Sequence, residues 1–214
     1  MTMSLFEVDW SLRPAMESAP VLAATAWADN AAMVLDCARL GYLREEWRTL
    51  DPTYGKGNWW TRWHPNELVT HDLAIDGVDF RELPHKDGEF QAAVFDPPYI
   101  AQGGRDTSTT QNFLNRFGLV DVPKTTKGVQ ELINAGLSEV ARVTRGFILV
   151  KCKDYVNGGV LWLGTHHTLT HALVSGLECV DRLEHLSGTG PQSQQRQVHS
   201  RRNFSTLFVF RSRP

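Results

Sequence analysis

Two runs, "GEFQAAVFD" (88–96) and "GFILVKCKD" (146–154), constrain this chain more than any other feature. Both are apolar almost throughout and lack the in–out alternation of a strand with one wet face. A strand of that kind is buried on both sides, so its sheet must carry packed layers on both faces. Helix-patterned segments lie between such runs. "TTKGVQELINAGLSEVARV" sets Val129, Leu132, Ile133, Leu137 and Val140 at helical spacing, behind Thr125 or Thr126 as a cap. From Pro20 to Leu43 the chain predicts one or two helices, with Trp27, Met33, Val34, Cys37 and Leu40 on one face and Gly41 as a stop. "LWLGTHHTLTHALVSGL" (161–177) predicts another, ending near Gly176.

Five further segments read as strands: 47–51, 66–72, 77–84, 178–186 and 203–212. Strands alternating with helices predict an α/β domain with a mostly parallel, seven-stranded sheet and helices on both faces. The last two strands have no helix between them, which predicts an antiparallel finish. Residues 1–19 read as an N-terminal arm and 20–214 as one domain, a length that suits a single core. Residues 100–126 are polar and weakly periodic. They predict a long target-facing loop with a short helix near Asn112 to Phe117, and loops of that length in compact domains usually carry function or are disordered.

A net charge of −2 gives no global basic field, so any contact with nucleic acid has to use a local patch. The three cysteines, Cys37, Cys152 and Cys179, form no CxxC pair, which argues against a disulfide framework or a thiolate metal site. Cys152 reads as core. His167 and His171 are one helical turn apart beside His166, but no HExxH or partner carboxylate accompanies them, so no metal is expected. The N-terminus lacks a signal pattern and no run of about 20 uncharged apolar residues occurs, so neither secretion nor a membrane span is expected. A reducing, cytoplasmic setting is the expectation. A monomer is carried forward for the oligomeric state, which the sequence does not otherwise encode.

Acids close several of these runs: Asp51, Asp72 and Asp96, with Asp79 at the start of another. In open α/β sheets ligands bind outside the C-terminal ends of the strands. After Asp51 comes "PTYGKG", where Gly55 and Gly57 allow close backbone approach to a ligand. Trp60 occupies the place of a third Rossmann glycine and no GKS or GKT follows, so neither a dinucleotide fingerprint nor a phosphate loop is present. Asp72, 21 residues after Asp51, suits the two hydroxyls of a ribose. A nucleoside ligand without phosphates fits these signs. Trp59, Trp60 and Trp63 read as core packing, with stacking on a ligand as the other option.

"DPPY" (96–99) ends the first of the two buried runs. Asp96 can accept a hydrogen bond from an exocyclic amine. Pro97 and Pro98 stiffen the backbone so that a carbonyl can accept a second, and Tyr99 offers a flat face to a base. An amine held by two acceptors is oriented to attack a methyl donor in line. That positioning can be worth about 7–11 kcal/mol with no covalent nucleophile.

On these motifs the chain resembles the class I S-adenosylmethionine-dependent amino-methyltransferases that act on exocyclic nitrogens of bases. "DPTYGKG" (51–57) is similar to their donor motif, approximately Asp-Pro-Phe-x-Gly-x-Gly, with Thr53 at the phenylalanine position. "DPPY", 45 residues after Asp51, matches their catalytic motif in a form commonest among N6-adenine DNA enzymes. "VKCKDYVNGG" and "QQRQVHSRRNFSTLFVF" resemble small phage and actinobacterial DNA methylases, which implies a bacterial or phage-infected host cell. The likeness covers roughly residues 47–212.

The resemblance implies a Rossmann-like methyltransferase domain using S-adenosyl-L-methionine. Asp51, Pro52, Thr53, Gly55 and Gly57 would cradle the methionine part, Asp72 the ribose, and Asp79 and Phe80 the adenine. Asp96 and the Pro97 carbonyl, followed by Pro98, would hold the target amine, and Tyr99 would stack on the extruded base. No separate target-recognition domain is evident. Arg105 and Arg116 in the long loop, and Arg196, His199, Arg201 and Arg202 before the last strand, are the candidates for DNA contact. N4-cytosine in DNA or an exocyclic amine in RNA would use the same four motif residues, and a catalytically silent nucleic-acid-binding protein could retain the fold.

Overall fold

The computed structural model describes residues 27–101, 123–186, 199–200 and 202–212. Six strands form the main sheet: β1 (Arg48–Asp51), β2 (Glu67–Thr70), β3 (Phe90–Phe95), β4 (Thr144–Cys152), β7 (Glu178–Leu186) and β8 (Phe204–Arg211), in the order β2-β1-β3-β4-β8-β7. The pairs β1–β2, β1–β3 and β3–β4 are parallel, and β8 runs antiparallel to both β4 and β7. The antiparallel finish is as expected.

The expected seventh strand is absent among the described residues. In 77–84, Val78, Phe80 and Leu83 still pack into the core. The backbone, however, is tied up locally: Asp76 accepts from the Val78 N–H at 3.2 Å and Asp79 from the Arg81 N–H at 2.8 Å. Such side-chain-to-backbone bonds compete with a sheet ladder.

Helices cover both faces. On one, α2 (Thr126–Val143) and α3 (Gly164–Val174) bring Leu137, Val140, Val143 and Ala172 against Phe95, Ile148, Val150, Phe208 and Phe210. On the other, α1 (Asn30–Arg39) brings Met33, Val34 and Cys37 against Val94, Leu149, Leu207 and Val209. The alternation along β4 is therefore real, but both of its faces are apolar because both are covered. Thr125 caps α2 by accepting the Gly128 N–H at 3.0 Å, and Asp29 caps α1 through the Ala32 N–H at 2.7 Å. Gly41 and Gly176 follow α1 and α3 as expected stops.

The Asp51 turn runs into a single 3-10 turn, Asn58–Trp60. One helix expectation shifts. Residues 160–162 are not the start of α3 but β6 (Val160–Trp162), which pairs with β5 (Tyr155–Asn157) as a hairpin. Its turn is Gly158–Gly159, with φ of 58° and 80°. Two consecutive residues at positive φ suit the right-handed twist of a tight hairpin. Residues 1–26 and 102–122, with the arm and most of the long loop, lie outside the described residues. Among the described residues, no helix is long and apolar enough to cross a membrane.

Candidate active site

One cavity of about 470 Å³ opens at the C-terminal ends of β1, β3 and β4. Pro52, Thr53, Gly55, Asp72, Asp79 and Phe80 line one part of it, and Asp96, Pro97, Pro98 and Tyr99 another. The two motifs thus meet in space because β1 and β3 are adjacent parallel strands that end together.

Asp51 and Gly57 stand behind this wall rather than on it. Asp51 is buried, accepting the Thr53 N–H at 2.9 Å and the Trp60 indole N–H at 2.7 Å. Burial pushes its carboxyl up to about 7, against the pull of those bonds, and the charge of Asp96 adds to the rise. Gly57 has φ of 68°, and a Cβ there would lie 2.5 Å from the Tyr54 hydroxyl. It shapes the turn by letting Tyr54 fold over it.

Thr53 joins the motifs. Its hydroxyl accepts the Asp96 N–H at 2.9 Å and lies 3.3 Å from Asp51 Oδ1, to which it donates. Asp72 accepts the Gly55 N–H at 3.0 Å and the Ala74 N–H at 2.8 Å, so it braces the glycine turn as well as lining the cavity. Arg81 forks onto Asp79 and holds its carboxyl below the usual range. Phe80 meets Phe95 edge to face with ring centres 5.2 Å apart.

At the other part, Asp96 Oδ2 accepts the Trp59 indole N–H at 3.0 Å, while Oδ1 is buried with no hydrogen-bond partner. Burial raises the Asp96 carboxyl; the charge of Lys151 and the Trp59 bond oppose it. Tyr99 lines the cavity and also packs on Ala101, Val129 and Ile133, and burial pushes its phenol up. The backbone N–H of Ala101 donates to the Tyr155 hydroxyl at 3.2 Å, which docks the β5–β6 hairpin at the end of this segment.

Several lining residues were not among the expected site residues, and of these Asn30, Trp59, Lys151 and Lys153 bear on the chemistry. Two had a signal. Lys151 interrupts "FILV" and "C" in a strand buried on both faces, where a cation demands a purpose. Trp59 is buried and its N–H needs an acceptor. Asn30, first residue of α1, had none. Of the basic residues, Arg105, Arg116, Arg196 and Arg201 lie outside the described residues. His199 meets the Gly159 carbonyl at 2.9 Å, and Arg202 donates to the Ser200 carbonyl at 2.8 Å; neither lines the cavity. His167 stacks on Trp162 and His171 pairs with the Ser138 hydroxyl at 2.9 Å. No group of three or more His, Cys, Asp or Glu side chains that could hold a metal occurs among the described residues.

Three solved structures share the fold, each with a TM-score of 0.50. One is Thermoplasma acidophilum 1320, at 11% identity over 85% of this chain and 88% of that one. Another is TrmN from Thermus thermophilus, at 15% identity over 88% of this chain and 51% of that one, so this chain spans about half its length. The third is a proposed methyltransferase from Bacillus halodurans, at 13% identity over 87% of this chain and 99% of that one. At such identities the likeness is one of fold. No family model and no curated protein sequence matches the chain.

Proposed function

We propose that this chain is an S-adenosyl-L-methionine-dependent methyltransferase acting on an exocyclic amine of a nucleic-acid base, N6 of adenine in DNA. The observation that carries the reading is the unpaired, buried Oδ1 of Asp96 on the wall of a cavity whose other part is the glycine turn. A buried acceptor without a partner is costly to keep and is explained when a ligand supplies the donor. The cavity volume of about 470 Å³ falls within the roughly 300–1,000 Å³ of small-molecule sites. Gly55, Asp72, Asp79 and Phe80 would hold the donor: two carboxylates for hydroxyl or amine N–H groups, and an apolar ring for its adenine. The Bacillus halodurans neighbour, a proposed methyltransferase matched over 99% of its chain, supports the choice of reaction.

The bound donor supplies an electrophilic methyl group on a sulfonium. The rest belongs to the chain. Asp96 Oδ1 accepts one N–H of the target amine and the Pro97 carbonyl accepts the other, which aims the nitrogen lone pair at the methyl carbon. With the donor bound, positive charge would grow on the amine nitrogen as an N–C bond replaced the C–S bond, and the Asp96 carboxylate would stabilise it. The product ammonium then loses its proton to water. Thr53 and Trp59 hold Asp96 from its backbone N–H and from Oδ2, so little reorganisation is needed. Tyr99 stacks on the extruded base.

Incubation of the full chain with methyl-labelled donor and unmethylated DNA, followed by digestion to nucleosides, tests this reading. Label in N6-methyladenine, absent with Asp96→Ala, is the expected result. Label in N4-methylcytosine or in RNA would correct the substrate, and no label with no donor binding would overturn the reading.

A further inference from the structure

Lys151, next to last in β4, lies beside the Asp96 segment, since Phe95 pairs with Val150. Its side chain is buried, with the residue only 4% exposed, and it lines the cavity. A cation so placed calls for a counter-charge, and Asp96 is the neighbouring carboxylate. Yet no ion pair joins the two. Lys151 Nζ donates to Asn30 Oδ1 at 2.6 Å and stands 5.1 Å from the centre of the Trp59 ring. Both of these partners are neutral, and Trp59 itself donates to Asp96 Oδ2.

We infer that Lys151 is a positioning residue that keeps Asp96 ionised while Asn30 and Trp59 hold its ammonium off the oxygen that receives the target amine. The inference rests on the methyl-transfer reading for its purpose, though not for its electrostatics. Two simpler arrangements would fail. A direct salt bridge would fill Oδ1 and shut out the amine. Without a cation, burial would raise the Asp96 carboxyl further, towards the state in which an acceptor oxygen becomes a donor. A cation held outside salt-bridge contact avoids both, because Coulomb attraction in a buried site reaches beyond hydrogen-bond range. In line with this, Lys151 is the largest influence opposing the burial of the Asp96 carboxyl. The other ionisable groups that share this field are Asp51 on β1, Tyr99 in the same segment, Lys153 after β4 and His185 on β7.

The direct test follows the Asp96 carboxyl by carbon NMR during a pH titration of the full chain, assigned by comparison with Asp96→Asn. Lys151→Met should raise the Asp96 midpoint by about one pH unit or more, the size of effect a close opposite charge has on a carboxyl. Lys151→Arg should keep it near the starting value. Should Lys151→Met fail to fold, Asn30→Ala serves instead: it frees the ammonium to pair with Asp96, and the midpoint should fall. In kinetics, the acid limb of kcat/KM should move in the same direction as the NMR midpoint in each variant, while donor affinity measured by calorimetry stays within about threefold. Equal midpoints in the starting protein and in the tested variant would overturn the inference. A shifted midpoint in a chain that transfers no methyl group to any nucleic acid would leave the electrostatics standing and remove the proposed reaction.

Discussion

Consider Asp96→Asn, which keeps the shape of the side chain and an oxygen to accept from Trp59 but removes the charge. In the fold, the Asp96 carboxyl is raised, with burial outweighing both Lys151 and the Trp59 bond. The unfolded chain therefore loses this proton at a lower pH than the folded chain does. The carboxyl's contribution to stability is fully present below its ordinary value of 3.8 and is lost as pH rises through the folded value. Asparagine has no proton to lose, so the gap between the two proteins should open across that window and then stay constant. Each pH unit by which the folded value exceeds the unfolded one is worth about 1.4 kcal/mol, and the asparagine amide only exchanges the unpaired buried acceptor for an unpaired donor, so the charge sets the difference. At about pH 8 the variant should be more stable by about 1–3 kcal/mol, which for a chain of this size raises Tm by about 2–4 °C per kcal/mol. Urea unfolding at about pH 8 and about pH 4 reads it, because the midpoint tracks stability where the slope is unchanged. Methyl transfer by the same variant should fall. A variant less stable than the parent at about pH 8, or a gain of equal size at both pH values, would refute the claim that a charged Asp96 is held at a cost.

Other substitutions probe the supports of the site. Thr53→Val keeps the shape but strands the Asp96 N–H, and should lower stability by about 1–3 kcal/mol in urea unfolding and reduce kcat more than donor affinity. Gly57→Ala places a methyl against the Tyr54 ring at positive φ, and should cost about 1–3 kcal/mol in thermal unfolding. Asp72→Ala removes the acceptor for the Gly55 and Ala74 N–H groups, and calorimetry should show donor binding weakened about tenfold or more. Arg142→Ala loosens α2 from the 83–87 loop, where its guanidinium meets Asp87 and the Leu83 and His85 carbonyls while also pairing with Glu139 on α2. Unfolding should show a loss of about 1–3 kcal/mol, while kcat stays within about threefold.

The legible parts of this molecule are those where burial writes directly into residue type. β3 and β4 are covered on both faces, so they are apolar almost throughout, and the polar residues that end them stand out as a site. Segment 77–84 misled because Val78, Phe80 and Leu83 pack like strand residues, while Asp76 and Asp79 satisfy the backbone locally. Apolar pattern reports burial, not which partner takes the backbone N–H groups. Trp59 and Trp60 read as core, and they are core, but a buried indole must also donate. Their acceptors are Asp96 and Asp51, so the packing residues also orient the two motif carboxylates. No single-residue preference reveals such a pairing.

Thr53 gives the same lesson with a consequence for the silent-protein alternative. Read beside the related motif, threonine at this position is the loss of an apolar wall. In the fold its hydroxyl takes the Asp96 N–H and reaches Asp51, tying the glycine turn to the acid of DPPY. Phenylalanine could not accept that bond. A motif drifting after loss of function has no reason to gain a hydrogen bond onto the backbone of its own principal acid, or to keep that acid buried with one oxygen unpaired. Such a group is expected to lower stability, and relaxed selection should remove it readily, since exchange for a neutral residue should strengthen the fold. The cost carried at Asp96, with Thr53, Trp59 and Lys151 arranged around it, therefore favours a working site over a relic.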